Sequence, residues 1–249
     1  MRMLIVAIVL LCAGVCHAGD TLVSTTIEPN RLKRCRQDFS TNLCRNHPNQ
    51  YKCMMFRKGN RPYLTWEELF GDGLAKVALQ KINRRNTIVW RNHCLAMPFD
   101  FKTVVPPLPR FDDRYQGKVV VVDLRQLAWA AYQQGRLVMW GTANGGSKIC
   151  KETGKPGCKT SVGIFSVLHI AGAGKKSDQY PIDCVDKKKC GHPMPYFMKF
   201  KSSGEGLHGN KWLVGRNASH GCIRISVDDA RFLGKEFAFI GMPIIISEY

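Results

Sequence analysis

The sequence has few acidic residues. It contains 19 Asp and Glu against 37 Lys and Arg in 249 residues, which gives a formal net charge of +18. A surface of this charge suits nucleic acid, an anionic membrane or an anionic wall polymer, although a merely soluble basic surface is the alternative. The sequence also lacks a helix-turn-helix or RNA-binding signature, and we therefore expect no nucleic-acid partner.

The sequence also lacks a long hydrophobic run, since no segment reaches the roughly 20 apolar residues of a membrane-spanning helix. A shorter apolar run lies near the start of the sequence. Arg2 precedes this stretch, Leu4–Leu11, and a small residue, Ala18, follows it. This pattern predicts a secretory signal peptide over residues 1–18 and an exported protein without a transmembrane segment. A lipoprotein anchored through Cys16 is the alternative, but Val15 stands where a small residue is required.

Cysteine is abundant. Of the eleven cysteines, two lie in the predicted signal peptide, and the remaining nine read as disulfides in an oxidising compartment. Because nine is odd, at least one thiol stays unpaired. Spacing predicts the pairs Cys150–Cys158 and Cys184–Cys190, and leaves Cys222 without a neighbour. The other four are expected to pair among themselves in an order that spacing does not determine: Cys35, Cys44, Cys53 and Cys94.

Residues 19–102 are predicted to form a disulfide-braced N-terminal region, with a polar arm to residue 50 and a compact unit after it. In "TWEELF", Thr65 and Glu68 have the spacing of a helix capping box. A second helix is indicated by apolar residues at helical spacing: Leu74, Val77, Ala78 and Ile82.

The same unit, closing on "INRRNTIVWRNHCLAMP", resembles a degenerate LysM module. LysM modules bind glycans that contain N-acetylglucosamine, so the resemblance implies attachment to a cell wall. An ordinary small α/β appendage is the alternative.

A Pro-rich segment, residues 103–114, is predicted to be an extended linker. Residues 115–249 then show strands at short intervals, including a hairpin around Gln133-Gln134-Gly135. One helix is indicated by Ser226 as its N-cap, followed by Asp228 and Asp229 in its first turn. The expected fold class is mainly β, a β-sandwich or barrel with a small α/β N-terminal module.

The stretch "SHGCIR" contains the residues of a nucleophilic site. A cysteine thiol needs a neighbouring imidazole to attack an amide, and His208 and His220 both lie near Cys222 in sequence. Gly221 permits a tight turn that would leave the amides of residues 221 and 222 free to face an oxyanion. Arg224 could bind a substrate carboxylate through two hydrogen bonds.

Two other interpretations of Cys222 remain. It could be the odd structural cysteine of the chain, or it could bind zinc together with His208 and His220. The zinc interpretation is disfavoured because such sites need four ligands, or three and water. We therefore expect neither a metal nor a cofactor.

The segments "GLHGN" and "ASHGCIRIS" resemble the signature of the L,D-transpeptidase (YkuD-type) catalytic domain, a His followed at a distance by Ser/Thr-His-Gly-Cys. "KTSVGIFSV" is similar to the turn and strand in which that family usually has Thr-Pro-x-Gly-x-Phe. "HPMPYFMKF" and "DDARFLGKEFAFIGMPIIIS" resemble its strand before the first His and its closing helix and strand. The resemblance covers residues 117–247.

The resemblance implies an enzyme that cleaves a peptidoglycan stem peptide between diaminopimelate and D-Ala, and passes the acyl group to an amine. Cys222 would be the nucleophile, His208 the general base and acid, and His220 an orienting or oxyanion-side partner. Gly221, which has no side chain, would let the substrate approach the backbone closely. The residues expected to contact or position substrate are Arg224, Ser219 and Gly209, and a backbone carbonyl after His208 would complete the triad.

The implied partners are peptidoglycan stem peptides and glycan, with a wall-attached protein as a possible acceptor, and the implied location is the periplasm and the cell wall. An L,D-carboxypeptidase or a hydrolase that detaches wall proteins would use the same residues. A sortase and a non-catalytic wall-binding or host-interaction protein are further alternatives. Residues 172–195, which contain Cys184 and Cys190, form an insertion that is either a flap over the acyl-donor groove or a passive loop.

Overall fold

A computed structural model of the chain describes residues 21–151, 153–181, 183 and 185–249. The predicted signal peptide, and the Cys184 end of the predicted Cys184–Cys190 pair, lie outside these residues; Cys190 itself is disulfide-bonded. Within the described ranges, no helix is both long and apolar enough to cross a bilayer.

The N-terminal region contains a three-stranded antiparallel sheet with three short α-helices and a 3-10 helix. Its elements in chain order are β1 (Leu22–Ile27), a 3-10 helix (Pro29–Arg34), α1 (Phe39–Asn46), β2 (Tyr51–Lys58), β3 (Tyr63–Leu64), α2 (Trp66–Phe70), α3 (Leu74–Ile82), β4 (Val89–Trp90) and β5 (Cys94–Pro98). The sheet order is β1-β2-β5, and β3 pairs with β4. The polar arm therefore contains a strand and two helices that its sequence, poor in periodicity, did not indicate.

A small hydrophobic core and two disulfides hold this region together. The disulfides are Cys35–Cys94 and Cys44–Cys53, which confirms that the four cysteines pair among themselves. The predicted capping box at the start of α2 is present. The predicted apolar face of α3 is partly wrong, because Leu74 and Val77 are exposed whereas Leu79 and Ile82 are buried. The helix turns only its C-terminal half toward the core.

The C-terminal region is built from two open sheets. Its elements are β6 (Lys118–Asp123), β7 (Ala128–Gln133), β8 (Arg136–Thr142), β9 (Gly163–Ser166), β10 (His169–Ile170), α4 (Lys187–Cys190), β11 (Met198–Lys199), β12 (Gly206–Gly209), β13 (Ile223–Ile225), α5 (Val227–Phe232) continuing as a π-helical turn (Leu233–Phe237), and β14 (Pro243–Ser247). The sheet orders are β8-β7-β6-β14-β9 and β10-β11-β12-β13. The mainly β class is confirmed, and neither sheet closes into a barrel.

The main core lies between the two sheets and α5. Alternate residues of β6, Val120 and Val122, face the buried side chains Ile223 and Ile225 of β13 within one cluster. At the β7–β8 hairpin, Gln134 and Gly135 have φ values of 49° and 73°. Two positive φ values in a two-residue loop match the right-handed twist of the strands, and the predicted hairpin is confirmed. The predicted N-cap is also present, since Ser226 Oγ accepts from the Asp229 amide.

The Pro-rich segment packs against the five-stranded sheet. The Leu108 side chain is buried, and Tyr132 Oη donates a 2.7 Å hydrogen bond to the Pro109 carbonyl. The backbone then runs beside β8, where the Leu137 amide donates to the Arg110 carbonyl at 3.0 Å. These contacts fix the segment on the outer face of the sheet, so it is not an extended spacer standing free of both regions.

The turn after α3 connects the N-terminal region to the segment between β12 and β13. Asn86 exchanges two hydrogen bonds with Leu213: its amide donates to the Leu213 carbonyl at 3.0 Å, and its side-chain oxygen accepts from the Leu213 amide at 2.7 Å. Arg84 Nε donates to the Gln126 carbonyl at 2.9 Å. The N-terminal region thereby holds the loop that leads from His208 to Cys222.

Candidate active site

Two short parallel strands bring the predicted site residues together. In the β12–β13 pair, His208 is the register partner of Arg224, and Leu207 is the partner of Ile223. Leu207 and Ile223 are buried in the main core. Because side chains alternate along a strand, His208 and Arg224 project from the opposite face, as does Cys222 two positions before Arg224. An imidazole, a thiol and a guanidinium therefore share one face.

His208 is held as a neutral imidazole with a defined tautomer. Its side chain is buried, and Nδ1 lies 2.9 Å from the carbonyl oxygen of Gly209. A carbonyl only accepts hydrogen bonds, so Nδ1 carries the proton and Nε2 has the free lone pair. Burial lowers the pKa of His208 to about 4, and the positive charge of Arg224 acts in the same direction. The imidazole can therefore accept a proton at neutral pH.

Cys222 is a free, partly buried cysteine. Its Sγ lies 3.9 Å from the Gly204 carbonyl oxygen. Burial raises the pKa of the thiol and Glu205 adds to this, whereas the Gly206 amide and Arg224 act to lower it. Because burial is the largest of these effects, the resting group is a thiol at neutral pH.

Arg224 is available to an anionic ligand. Its backbone amide and carbonyl both bond to Asn144, at 2.9 and 2.8 Å. These bonds fix the strand and leave the guanidinium free to bind other groups. Burial lowers the pKa of Arg224, and a negative charge on Cys222 raises it. Throughout the described ranges, no carboxylate forms an ion pair with this side chain.

Ser219 and Thr160 fix the turn before the cysteine. Ser219 Oγ donates to the Cys222 carbonyl and accepts from the Gly221 amide at 3.2 Å. Thr160 Oγ1 donates to the Gly221 carbonyl at 2.7 Å, and Gly221 has a φ of 119° that favours glycine. The Gly221 amide is thus engaged inside the turn rather than free, which corrects the expectation that it faces an oxyanion directly.

His220 lies against the insertion. Its ring stacks on Tyr180, with centroids 4.3 Å apart and an angle of 18° between the planes. Tyr180 is held there by the backbone, because its carbonyl accepts from the His192 amide at 2.9 Å. Sequence reasoning missed Tyr180. The one feature of the sequence that pointed to Tyr180 was that an aromatic residue lies inside a segment otherwise rich in Lys, Gly and Asp.

A polar cluster beside the turn was also missed. Glu205 accepts from the Ser161 hydroxyl at 2.8 Å and from Lys201 Nζ at 3.1 Å. A Cβ added to Gly221 would lie 3.6 Å from Cγ of Glu205. Ser161 belongs to the "KTSVGIF" motif, but nothing in its spacing indicated a carboxylate partner 44 residues away. In the described part of the chain, no three His, Cys, Asp or Glu residues group as metal ligands.

Comparisons with known proteins agree on this region. The family model described as "YkuD: L,D-transpeptidase catalytic domain" matches residues 117–242. No curated protein matches the chain.

A solved structure of an L,D-transpeptidase shares the fold, and two others show a weaker similarity. The protein from Xylanimonas cellulosilytica has 23% identity and a TM-score of 0.50, over 70% of this chain and 79% of that one. Those from Mycobacterium smegmatis and Mycobacterium tuberculosis have 23% and 22% identity and TM-scores of 0.42 and 0.41, over 53% of this chain and 58% of theirs. The family match does not extend to the N-terminal region, so the LysM-like resemblance has no support from it. Because the family model covers half of the chain, the protein belongs to the YkuD family of L,D-transpeptidase catalytic domains.

Proposed function

We propose that the chain is an exported peptidoglycan L,D-transpeptidase that uses Cys222 as its nucleophile. The observation that supports this most strongly is the shared face of β12 and β13, from which Cys222, His208 and Arg224 all project. The substrate is a stem peptide, and the bond cleaved joins diaminopimelate to the terminal D-Ala.

Acylation begins with transfer of the thiol proton. His208 Nε2 takes the proton from Cys222 Sγ, and the sulfur attacks the diaminopimelate carbonyl to form a tetrahedral oxyanion. Collapse expels D-Ala as an amine, to which the imidazole returns the proton. The products of this half-reaction are free D-Ala and a thioester on Cys222. An acceptor amine then attacks the thioester, gives its proton to His208, and regenerates the thiol.

The developing oxyanion needs hydrogen-bond donors in place before reaction. We assign the Cys222 amide as one such donor, with His220 as an orienting or oxyanion-side partner. We assign Gly221 the role of shaping the turn through its positive φ, and Ser219 that of bracing it. Gly209 orients the base through its carbonyl.

Arg224 binds a carboxylate of the donor stem peptide. Its guanidinium can form two parallel hydrogen bonds with such a group. Residues 172–195 act as a flap, and Tyr180 on His220 is its contact with the active-site turn.

The remaining parts of the proposal concern location and organisation. Residues 1–18 direct export to the periplasm, residues 19–102 form the N-terminal region, residues 103–114 join the two parts, and residues 115–249 form the catalytic domain. The N-terminal region attaches the enzyme to the wall, the role implied by its LysM-like sequence. A wall-attached protein could replace a second stem peptide as the acceptor.

Incubation with disaccharide-tetrapeptide monomers, followed by mass analysis, tests the reaction. We expect a cross-linked dimer and free D-Ala from the wild type and neither from Cys222→Ala. Trimmed tripeptide without dimer would instead assign the chain as an L,D-carboxypeptidase. Intact substrate with both proteins would favour a non-catalytic wall-binding role.

A further inference from the structure

A basic groove lies on the N-terminal region, away from the cysteine site. Its volume is 480 Å³, and three guanidinium groups line it together with two amides and an indole: Arg34, Arg57, Arg91, Asn60, Asn92 and Trp90. Of the described residues that line it, none is acidic. We propose that this groove binds a carboxylate-bearing glycan, the peptide-substituted strand of peptidoglycan, and that it does so through charge rather than as a neutral sugar site.

The arginines of the groove have no acidic partner among the described residues. In that part of the chain, no carboxylate pairs with Arg34, Arg57 or Arg91. Arg57 Nη2 donates to the thioether sulfur of Met55 at 3.3 Å. Like charges that converge without a counter-ion repel one another, and an anion relieves that repulsion. Guanidinium groups match carboxylates through paired hydrogen bonds.

The backbone beneath one side of the groove is held in place before any ligand binds. The Arg36 amide donates to the Asn92 carbonyl at 2.7 Å, and the neighbouring Cys35–Cys94 disulfide ties the end of the 3-10 helix to β5. These bonds hold Arg34 beside the β4–β5 turn. A site arranged in advance loses less conformational entropy on binding.

Trp90 supplies a flat apolar surface. It is 44% exposed, and the edge of Tyr63 supports it from the paired strand, with centroids 5.5 Å apart at 71°. The electron-rich face of an indole attracts the C–H groups of a pyranose ring. A sugar on Trp90 with a carboxylate on its peptide substituent would satisfy the ring and the arginines together.

Aromatic and basic residues in one groove could also bind single-stranded nucleic acid. The glycan is favoured because the same chain contains a domain of the L,D-transpeptidase family, so both sites would engage one polymer. This inference rests on that family membership and does not depend on Cys222 being the nucleophile.

Calorimetric titration of the full chain as Cys222→Ala, with Arg224→Ala added here and in the variants below, tests the proposal. The first change leaves the ligand uncleaved, and the second removes the guanidinium proposed to bind the donor at the cysteine site. The ligand is a disaccharide-tetrapeptide, and the two comparison ligands are a neutral N-acetylglucosamine tetramer and a single-stranded oligonucleotide. We expect the tetramer to bind at least about tenfold more weakly, because it lacks the charged hydrogen bonds. Equal or tighter binding of either comparison ligand would overturn the proposal.

A matched pair of variants separates a site from diffuse charge. Arg31 and Arg34 are both exposed and lie in the same 3-10 helix, but only Arg34 lines the groove. In the Cys222→Ala background, Arg34→Ala and Trp90→Ala should each weaken disaccharide-tetrapeptide binding by about tenfold, with unchanged thermal melting. Arg31→Ala should change it by less than about twofold. Equal losses from Arg31→Ala and Arg34→Ala, or no binding by the parent, would contradict the inference.

Discussion

Single residues determine how the thiol of Cys222 becomes reactive. The buried imidazole of His208 stays neutral and points its lone pair away from the Gly209 carbonyl. The thiol is also neutral at rest, because burial raises its pKa. In the proposed mechanism, the site therefore starts as a neutral pair and separates charge only when substrate is attacked, so that His208 acts as a base rather than as the partner of a preformed thiolate.

This neutral pair predicts an unusual dependence of the acylation rate on pH at the acidic end of the profile. A histidine whose pKa is lowered to about 4 remains able to accept a proton as the pH falls through 6.5, the ordinary value. We expect the acylation rate of the wild type to be nearly constant from pH 7 to about pH 5, and to fall below that as His208 becomes protonated. The measurement is the acylation rate at each pH, obtained by mass analysis of samples quenched at set times. A half-maximal rate near pH 6.5 would show that His208 titrates as an exposed histidine.

Gly221 provides a second prediction at this scale. Its φ of 119° is strained for any other residue, so Gly221→Ala should lower the free energy of unfolding by about 1–2 kcal/mol. Gly241, with a φ of 91° and open space around it, is a matched control. Both alanine variants should lose similar stability in urea titrations, but only Gly221→Ala should lose acylation. Equal activity in the two variants would exclude a special role for the turn before Cys222.

At the scale of elements, the site depends on strand register. Pairing β12 with β13 in parallel places His208 beside Arg224 although 16 residues separate them in sequence. Strand alternation and the spacing of "LHGN" and "SHGCIR" made that face predictable, as did the apolar residues between them. The Thr160 brace and the Glu205 cluster were not predictable, because they depend on loops that meet only in the folded chain. The exposure of Leu74 and Val77 was not predictable either, because helical spacing does not show how much of α3 packs against the core.

The contact between Tyr180 and His220 allows a test of the proposed flap. Stacking of Tyr180 on His220 uses the ring and not the hydroxyl, so Tyr180→Phe should behave as wild type. Tyr180→Ala should raise KM for the tetrapeptide donor severalfold with a smaller change in kcat, since aromatic pairs contribute about 0.5–1.5 kcal/mol. Steady-state release of D-Ala separates the two constants. Identical KM values for the Ala and Phe variants would indicate that the insertion is a passive loop.

At the scale of the whole molecule, buried basic groups connect the two regions. Arg84 donates to the Gln126 carbonyl, and its guanidinium lies 5.4 Å from the centre of the Trp140 ring. Arg85 contacts the ring nitrogen Nδ1 of buried His93, and burial lowers the pKa of His93 to about 3. His93 is thus neutral in the folded protein, and its Nε2 has no hydrogen-bond partner among the described residues.

Two buried neutral histidines make stability depend on pH. Their pKa values are lowered to about 3 for His93 and about 4 for His208, so between pH 4 and 6.5 the unfolded chain binds protons that the folded chain does not. Their contribution is complete above pH 6.5 and is lost as the pH falls, by about 1.4 kcal/mol per pH unit for each histidine.

Urea unfolding of the wild type and His93→Gln at pH 7.5, 6 and 5 measures this loss. The glutamine oxygen can still accept a hydrogen bond from Arg85 but cannot titrate. We expect the slope of stability against pH to be clearly shallower in the variant. Parallel slopes would show that folding does not lower the pKa of His93.

The most direct measurement for the molecule as a whole is covalent capture of the donor. Wild type and Cys222→Ala are mixed with disaccharide-tetrapeptide in the absence of an added acceptor, quenched in acid, and analysed by intact mass and peptide mapping. The proposed mechanism predicts an adduct equal to the donor minus D-Ala, located on the peptide that contains Cys222 and absent from the variant. An adduct on another residue, or turnover of the donor by Cys222→Ala, would contradict it.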